Sequence, residues 1–259
     1  MFRTRALTRP KISGGSALVL VLLLPLAGCG SGQDEGDGAQ AELTVLAASS
    51  LTDAYQELAT SFEEKNDADV TFSFGSSTDL AEQAADGAPG DVLATADETS
   101  MKVAEEAGVT GDVTDFATNV MVIVTPAGNP AGIESLDDLE GATWVRCADA
   151  VPCGRVAQSV LEDNGITAEP ASLEEDVRST LDKVVSGEAD AGLVYASDAV
   201  AAGGDVETIE IPGAEKELTT YFITTLEQSA DADLAEKWVD LVTSDEGAAA
   251  LEDAGFSLP

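Results

Sequence analysis

The chain has 259 residues, 44% of them hydrophobic, and a formal net charge of −37 from 12 basic and 49 acidic residues. That balance argues against nucleic acid as a partner, because phosphate contacts need lysine and arginine. The absence of histidine excludes Ser-His-Asp and Cys-His nucleophiles and His-rich metal sites, so the chain does not read as an enzyme.

Arg3, Arg5, Arg9 and Lys11 form a basic start, and residues 17–26 form an apolar run interrupted by Pro25. The run is too short to span a bilayer comfortably and reads as a signal segment. Leu26-Ala27-Gly28-Cys29 follows and resembles the bacterial lipobox. The resemblance implies cleavage after residue 28, lipidation of Cys29, and anchoring to the outer face of the cell membrane. Residues 29–41 are rich in glycine and acid, without apolar period, and read as a flexible tether. Asp34, Glu35 and Asp37 lack the spacing of a calcium loop, so a solvated segment is expected there. With Cys29 assigned to the lipid, Cys147 and Cys153 remain. An exported location favours oxidation, and a disulfide between them is expected. Their spacing is not that of a Cys-x-x-Cys dithiol.

Apolar patterning then alternates between strand and helix. Strands are expected at 43–47, 70–74, 92–96, 120–124, 143–146, 191–195, 206–211 and 218–224. Helices are expected at 51–65, 79–86, 100–107, 154–164, 177–186, 232–243 and 246–252. This alternation predicts an α/β protein with mixed, mainly parallel sheets flanked by helices. Ligands of such folds lie beyond the carboxyl ends of strands, where helices begin.

Four turns of this kind share one design. Ala47-Ala48-Ser49-Ser50 leads into a helix with Ser50 as the expected cap, and Phe74-Gly75-Ser76-Ser77-Thr78 repeats the arrangement. Val151-Pro152-Cys153-Gly154 opens a third helix, with Pro152 suited to its first turn. Asp176 is placed to cap a fourth, beginning at Val177, while Ala191 to Tyr195 reads as a buried strand delivering a phenol to the sheet edge before a polar turn. A helix start beside a tyrosine hydroxyl is a site for a small anion built without a cationic side chain. Arg178 is expected to form a surface ion pair, and Trp144 and Trp238 to lie in the core.

The ordered set Ala47-Ala48-Ser49-Ser50-Leu51-Thr52-Asp53-Ala54, Phe74-Gly75-Ser76-Ser77, Gly87-Ala88-Pro89-Gly90-Asp91-Val92, Val151-Pro152-Cys153-Gly154, Glu175-Asp176-Val177-Arg178 and Val194-Tyr195-Ala196-Ser197-Asp198 resembles the molybdate-binding proteins of bacterial ABC transporters. These belong to the type-2 periplasmic binding protein superfamily. The resemblance covers about 43–256 and implies two lobes, 42–120 plus 218–259 and 121–217, with the ligand in the cleft between them. It implies that Ser50, Ser77, Cys153, Val177 and Tyr195 bind the oxyanion, with Cys153 and Val177 donating through backbone N–H. Where the family has a small residue such as alanine, this chain has Cys153, a change that a backbone donor tolerates. The resemblance further implies a monomer that hands molybdate or tungstate to an ABC permease with its ATPase, without a cofactor or a directly liganded metal cation. Molybdate, tungstate and sulfate are fully deprotonated dianions that suit a shell of donors, whereas hydrogen phosphate would leave a donor opposed by its own proton. Sulfate or another small anion is the alternative ligand, and cavity size would decide between them.

Overall fold

The computed structural model describes residues 40–259. The expected signal segment 1–28, Cys29 and nearly all of the tether 29–41 lie outside the described residues. In chain order the elements are β1 (Ala41–Ala48), α1 (Thr52–Asn66), β2 (Ala68–Gly75), α2 (Ser77–Ala85), β3 (Val92–Thr95), α3 (Glu98–Ala107), β4 (Thr114–Asn119), β5 (Met121–Pro126) and β6 (Trp144–Cys147). There follow α4 (Pro152–Asp163), β7 (Ser172–Glu174), α5 (Val177–Val185), β8 (Ala191–Tyr195), α6 (Ala196–Ala202), β9 (Val206–Glu210), β10 (Thr219–Thr225), α7 (Ala232–Val242) and α8 (Asp245–Asp253).

The strands form two five-stranded sheets, ordered β2-β1-β3-β10-β4 and β7-β6-β8-β5-β9. In the first, α1, α2, α3, α7 and α8 cover the strands; in the second, α4, α5 and α6 do so. Each sheet and its helices make one lobe of a two-lobed α/β fold. The chain passes between the sheets twice, from β4 to β5 and from β9 to β10. The strands joined by these passages run against their neighbours. β10 is antiparallel to both β3 and β4, and β5 to both β8 and β9. The sheets therefore contain more antiparallel pairing than strand–helix alternation implies.

Composition explains the central strands. β3 and β8 are buried along their whole length, as strands covered on both faces must be. Gly192 in β8 lets α5 approach closely: a Cβ there would stand 2.8 Å from Val184 Cγ2. In the first lobe Trp238 is fully buried and meets Phe62 and Tyr55 edge-on, with ring centroids 5.2 and 5.4 Å apart. Trp144 is equally buried in the core of the second lobe.

Three elements have no counterpart among those expected. β4 reads Thr-Asp-Phe-Ala-Thr-Asn and buries Phe116, Ala117 and Asn119, a pattern without strict alternation. β7 is three residues at a sheet edge, held by parallel pairing to β6. α6 replaces the polar turn expected after Tyr195. The Ala-Ser-Asp sequence that reads as a turn becomes its first turn, where an acidic residue is favourable. β8 is also the central strand of its sheet and not an edge, so Tyr195 stands at its carboxyl end.

Candidate functional site

The first lobe presents two turns to the cleft. After β1 a short 3-10 segment, Ser49–Leu51, precedes α1, whose cap position is Leu51 with no side-chain bond. Ser50 is therefore not the expected cap. Its hydroxyl lies 2.8 Å from Tyr221 Oη on β10 instead. After β2, Ser76 caps α2, and Ser77 is the first helical residue. Ser77 Oγ accepts a 2.9 Å bond from the Ala96 N–H. A hydroxyl has one proton to give and two lone pairs, so this bond leaves the Ser77 proton free to be donated elsewhere.

The second lobe presents three turns. α4 begins with Pro152 in its first turn, which puts Cys153 among the residues whose N–H groups have no partner inside the helix. Asp176 Oδ1 caps α5 by accepting from the Ser179 N–H at 2.8 Å. The Asp176 carboxylate is thus engaged at the helix end, and Val177 begins the helix. Tyr195 Oη accepts a 3.1 Å bond from Thr219 Oγ1. Burial raises the Tyr195 phenol well above its ordinary pKa, so it keeps its proton and can donate.

These turns meet. Ser50, Ser77, Cys153, Val177 and Tyr195 all line one small cavity, together with Ala48, Ser49, Gly75, Ser76, Ala96, Val151, Pro152 and Asp176. The space between them, mouth included, is about 220 Å³. The cavity volume itself is about 10 Å³, far below the roughly 300–1,000 Å³ of clefts that take organic ligands. Among the described residues, no lysine or arginine lines it. Hydroxyls and the starts of α2, α4 and α5 give the wall its polarity, which suits a small anion. A larger groove on the first lobe is lined by Asp112, Glu227, Glu236 and Asp240 among others, and such a wall would repel an anion.

Cys147 and Cys153 have their sulfur atoms at bonding distance, with Cα atoms 5.7 Å apart. The link joins the end of β6 to the start of α4. Cys147 Sγ also lies 3.6 Å from Thr180 Oγ1 on α5.

Sequence reasoning missed Thr219 and Tyr221. They alternate on β10 and reach Tyr195 and Ser50 from 24 and 171 residues away. Their period-2 pattern is visible in the sequence, but nothing local says that their face turns toward the cleft. Arg178 is no surface pair on its own helix. Its Nε lies 3.0 Å from Oδ1 of the fully buried Asp198, at ion-pair distance though not aligned as a hydrogen bond. Its other end pairs with Asp53 on α1. Asp198 Oδ2 accepts from the Tyr195 N–H at 3.2 Å. Burial pushes the Asp198 carboxyl up to about 7, against the opposing pull of Arg178.

Comparison with known proteins gives one consistent result. Residues 43–257 match the family model described as bacterial extracellular solute-binding protein. The chain is 39% identical over 221 residues to the molybdate-binding protein ModA of Mycobacterium tuberculosis, covering 84% of this chain and 85% of the relative. Among solved structures, the periplasmic molybdate-binding protein of Azotobacter vinelandii superposes with a TM-score of 0.75 at 22% identity, covering 84% of this chain and 99% of that one. The sulfate-binding protein SubI of Mycobacterium tuberculosis does so with a TM-score of 0.71 at 19% identity, covering 83% and 86%. At those identities the two structures speak for the fold alone.

Proposed function

The chain belongs to the bacterial extracellular solute-binding proteins, and we propose that it captures molybdate, with tungstate as a second ligand, outside the cytoplasm. It delivers the ion as a monomer to an ABC permease with its ATPase. Lipidation of Cys29 holds it at the outer face of the cell membrane, and the tether gives it reach. In that oxidising location Cys147 and Cys153 stay paired.

The observation that carries this reading is the convergence of Ser50, Ser77, Cys153, Val177 and Tyr195 on one small cavity that no cationic side chain among the described residues lines. The dianion would accept from the Ser50, Ser77 and Tyr195 hydroxyls and from the Cys153 and Val177 N–H groups. Thr219 and Ala96 occupy acceptor positions of Tyr195 and Ser77, which turns both hydroxyls toward donation. Hydrogen phosphate would bring its own proton to such a shell and leave a donor unsatisfied, at a cost of about 1–3 kcal/mol. Similarity to the M. tuberculosis molybdate-binding protein supports the choice of molybdate over sulfate.

Calorimetric titration with molybdate, tungstate, sulfate and phosphate tests the reading. One-to-one binding of molybdate and tungstate, with phosphate silent, is the expected result. Heat from sulfate alone would make this a sulfate protein, and four silent titrations would leave the fold without this ligand. Tyr195→Phe is expected to weaken molybdate binding by about 1–2 kcal/mol, the loss of one hydrogen bond to a charged group. Unchanged affinity in the same titration would remove Tyr195 from the site.

A further inference from the structure

Two arginines of the second lobe reach into the first, one on each side of the cavity. Arg155 on α4 donates from Nε and from a terminal nitrogen to Asp97 Oδ2, at 2.9 and 2.5 Å. The same nitrogen lies 3.2 Å from Ser100 Oγ. Beside it, Thr78 Oγ1 on α2 donates across the cleft to the Ala150 carbonyl at 3.1 Å. On the other flank, Arg178 joins Asp198 of its own lobe to Asp53 of the first.

Each member of these contacts is a close sequence neighbour of a cavity residue. Arg155 follows Cys153, Arg178 follows Val177, Thr78 follows Ser77, Asp97 follows Ala96, and Asp53 lies one helical turn beyond Ser50. The contacts that cross the cleft, Arg155–Asp97, Arg178–Asp53 and Thr78–Ala150, therefore span the seam where the cavity walls meet, while Arg178–Asp198 lies within the second lobe. They also answer an electrostatic problem. Asp53 and Asp97 lie on the first-lobe lip and Asp176 on the second, in a chain of net charge −37. Without the guanidinium groups, approach of the lobes would be opposed by like charge.

The geometry points to Arg155 and Arg178 as positioning residues that latch the lobes shut over a bound oxyanion and set how long it stays, without touching it. This inference rests on the proposed anion capture. A latch that exists only with the lobes together slows release and leaves encounter alone. Arginine suits the role, because its planar fork engages two partners at once.

The experiment uses Asp53→Asn, Asp97→Asn and the double variant. Asparagine keeps the Asp97 helix cap and removes only the charge. Radiolabelled molybdate bound to each protein is chased with excess unlabelled molybdate, and thermal midpoints are measured with and without the ion. Each single change is expected to speed release about fivefold and the double change about 25-fold, with association within twofold of wild type. Midpoints without the ion should stay level, and those with it should fall. High salt should speed release from wild type and leave the double variant nearly unaffected. Release at the wild-type rate, or an equal midpoint loss with and without the ion, would overturn the latch and leave the pairs as ordinary structural contacts. Failure of wild type to retain molybdate at all would instead overturn the anion reading on which the latch depends.

Discussion

Gly154→Ala is expected to destabilise the protein by about 3 kcal/mol, the upper range for overpacking. A Cβ at this position would stand 1.8 Å from the Ala148 carbonyl oxygen and 2.4 Å from its carbon. The obstacle is backbone, and it is pinned. Ala148 donates to the Glu174 carbonyl at 2.8 Å and accepts from the Val151 N–H at 3.1 Å. Relief requires α4 to withdraw from the turn, taking the Cys153 N–H with it. The thermal midpoint should fall by about 6–12 °C at the usual 2–4 °C per kcal/mol for a domain of this size. Molybdate affinity should drop more than tenfold in the same preparation. A midpoint within about 2 °C of wild type would show that the turn yields more readily than its hydrogen bonds imply.

The second large effect concerns the same turn. Cys147→Ser is expected to lower stability by about 2 kcal/mol, the chain-entropy value for a link closing so short a loop. Cys147 is fully buried against α5, so the loss of the link loosens the junction of β6, α4 and α5 together. Thermal unfolding of wild type with and without reductant provides the check, with the variant as reference. Reduced wild type and variant should coincide below the oxidised protein by about 4–8 °C. Equal midpoints in all three would mean that the link contributes nothing. The two variants also separate two roles of the turn, since alanine at 154 displaces the helix start while serine at 147 only frees it.

How much of this was legible beforehand differs from element to element. Continuous apolar runs mark β3 and β8 because buried central strands tolerate little else. Helices α4 and α5 are readable from Pro152 and Asp176, since caps and first-turn residues satisfy needs set by the local backbone. β4 and β7 escaped because their pairing partners, β10 and β6, supply the order that their own composition does not. α6 escaped because Ala-Ser-Asp serves a turn and a helix start equally well.

The turn residues lining the cavity were readable for a similar reason. Ser50, Ser77, Cys153 and Val177 lie at or beside helix starts, where helix polarity alone makes a place for an anion. What those side chains do there was not readable. Ser50 looks like a cap by position, yet its hydroxyl pairs with that of Tyr221, 171 residues away. Arg178 looks like a surface charge by composition, yet it lies between a buried carboxylate and the opposite lobe. The sequence by itself determined the alternating α/β order, the strand–turn–helix junctions and the neutral donors, because each depends on residues within about one helical turn of one another. Only the tertiary structure decided which hydroxyls keep a free proton, which carboxylate is buried and which arginines cross the cleft. Those outcomes are set by long-range pairing and by burial, and no local pattern encodes either.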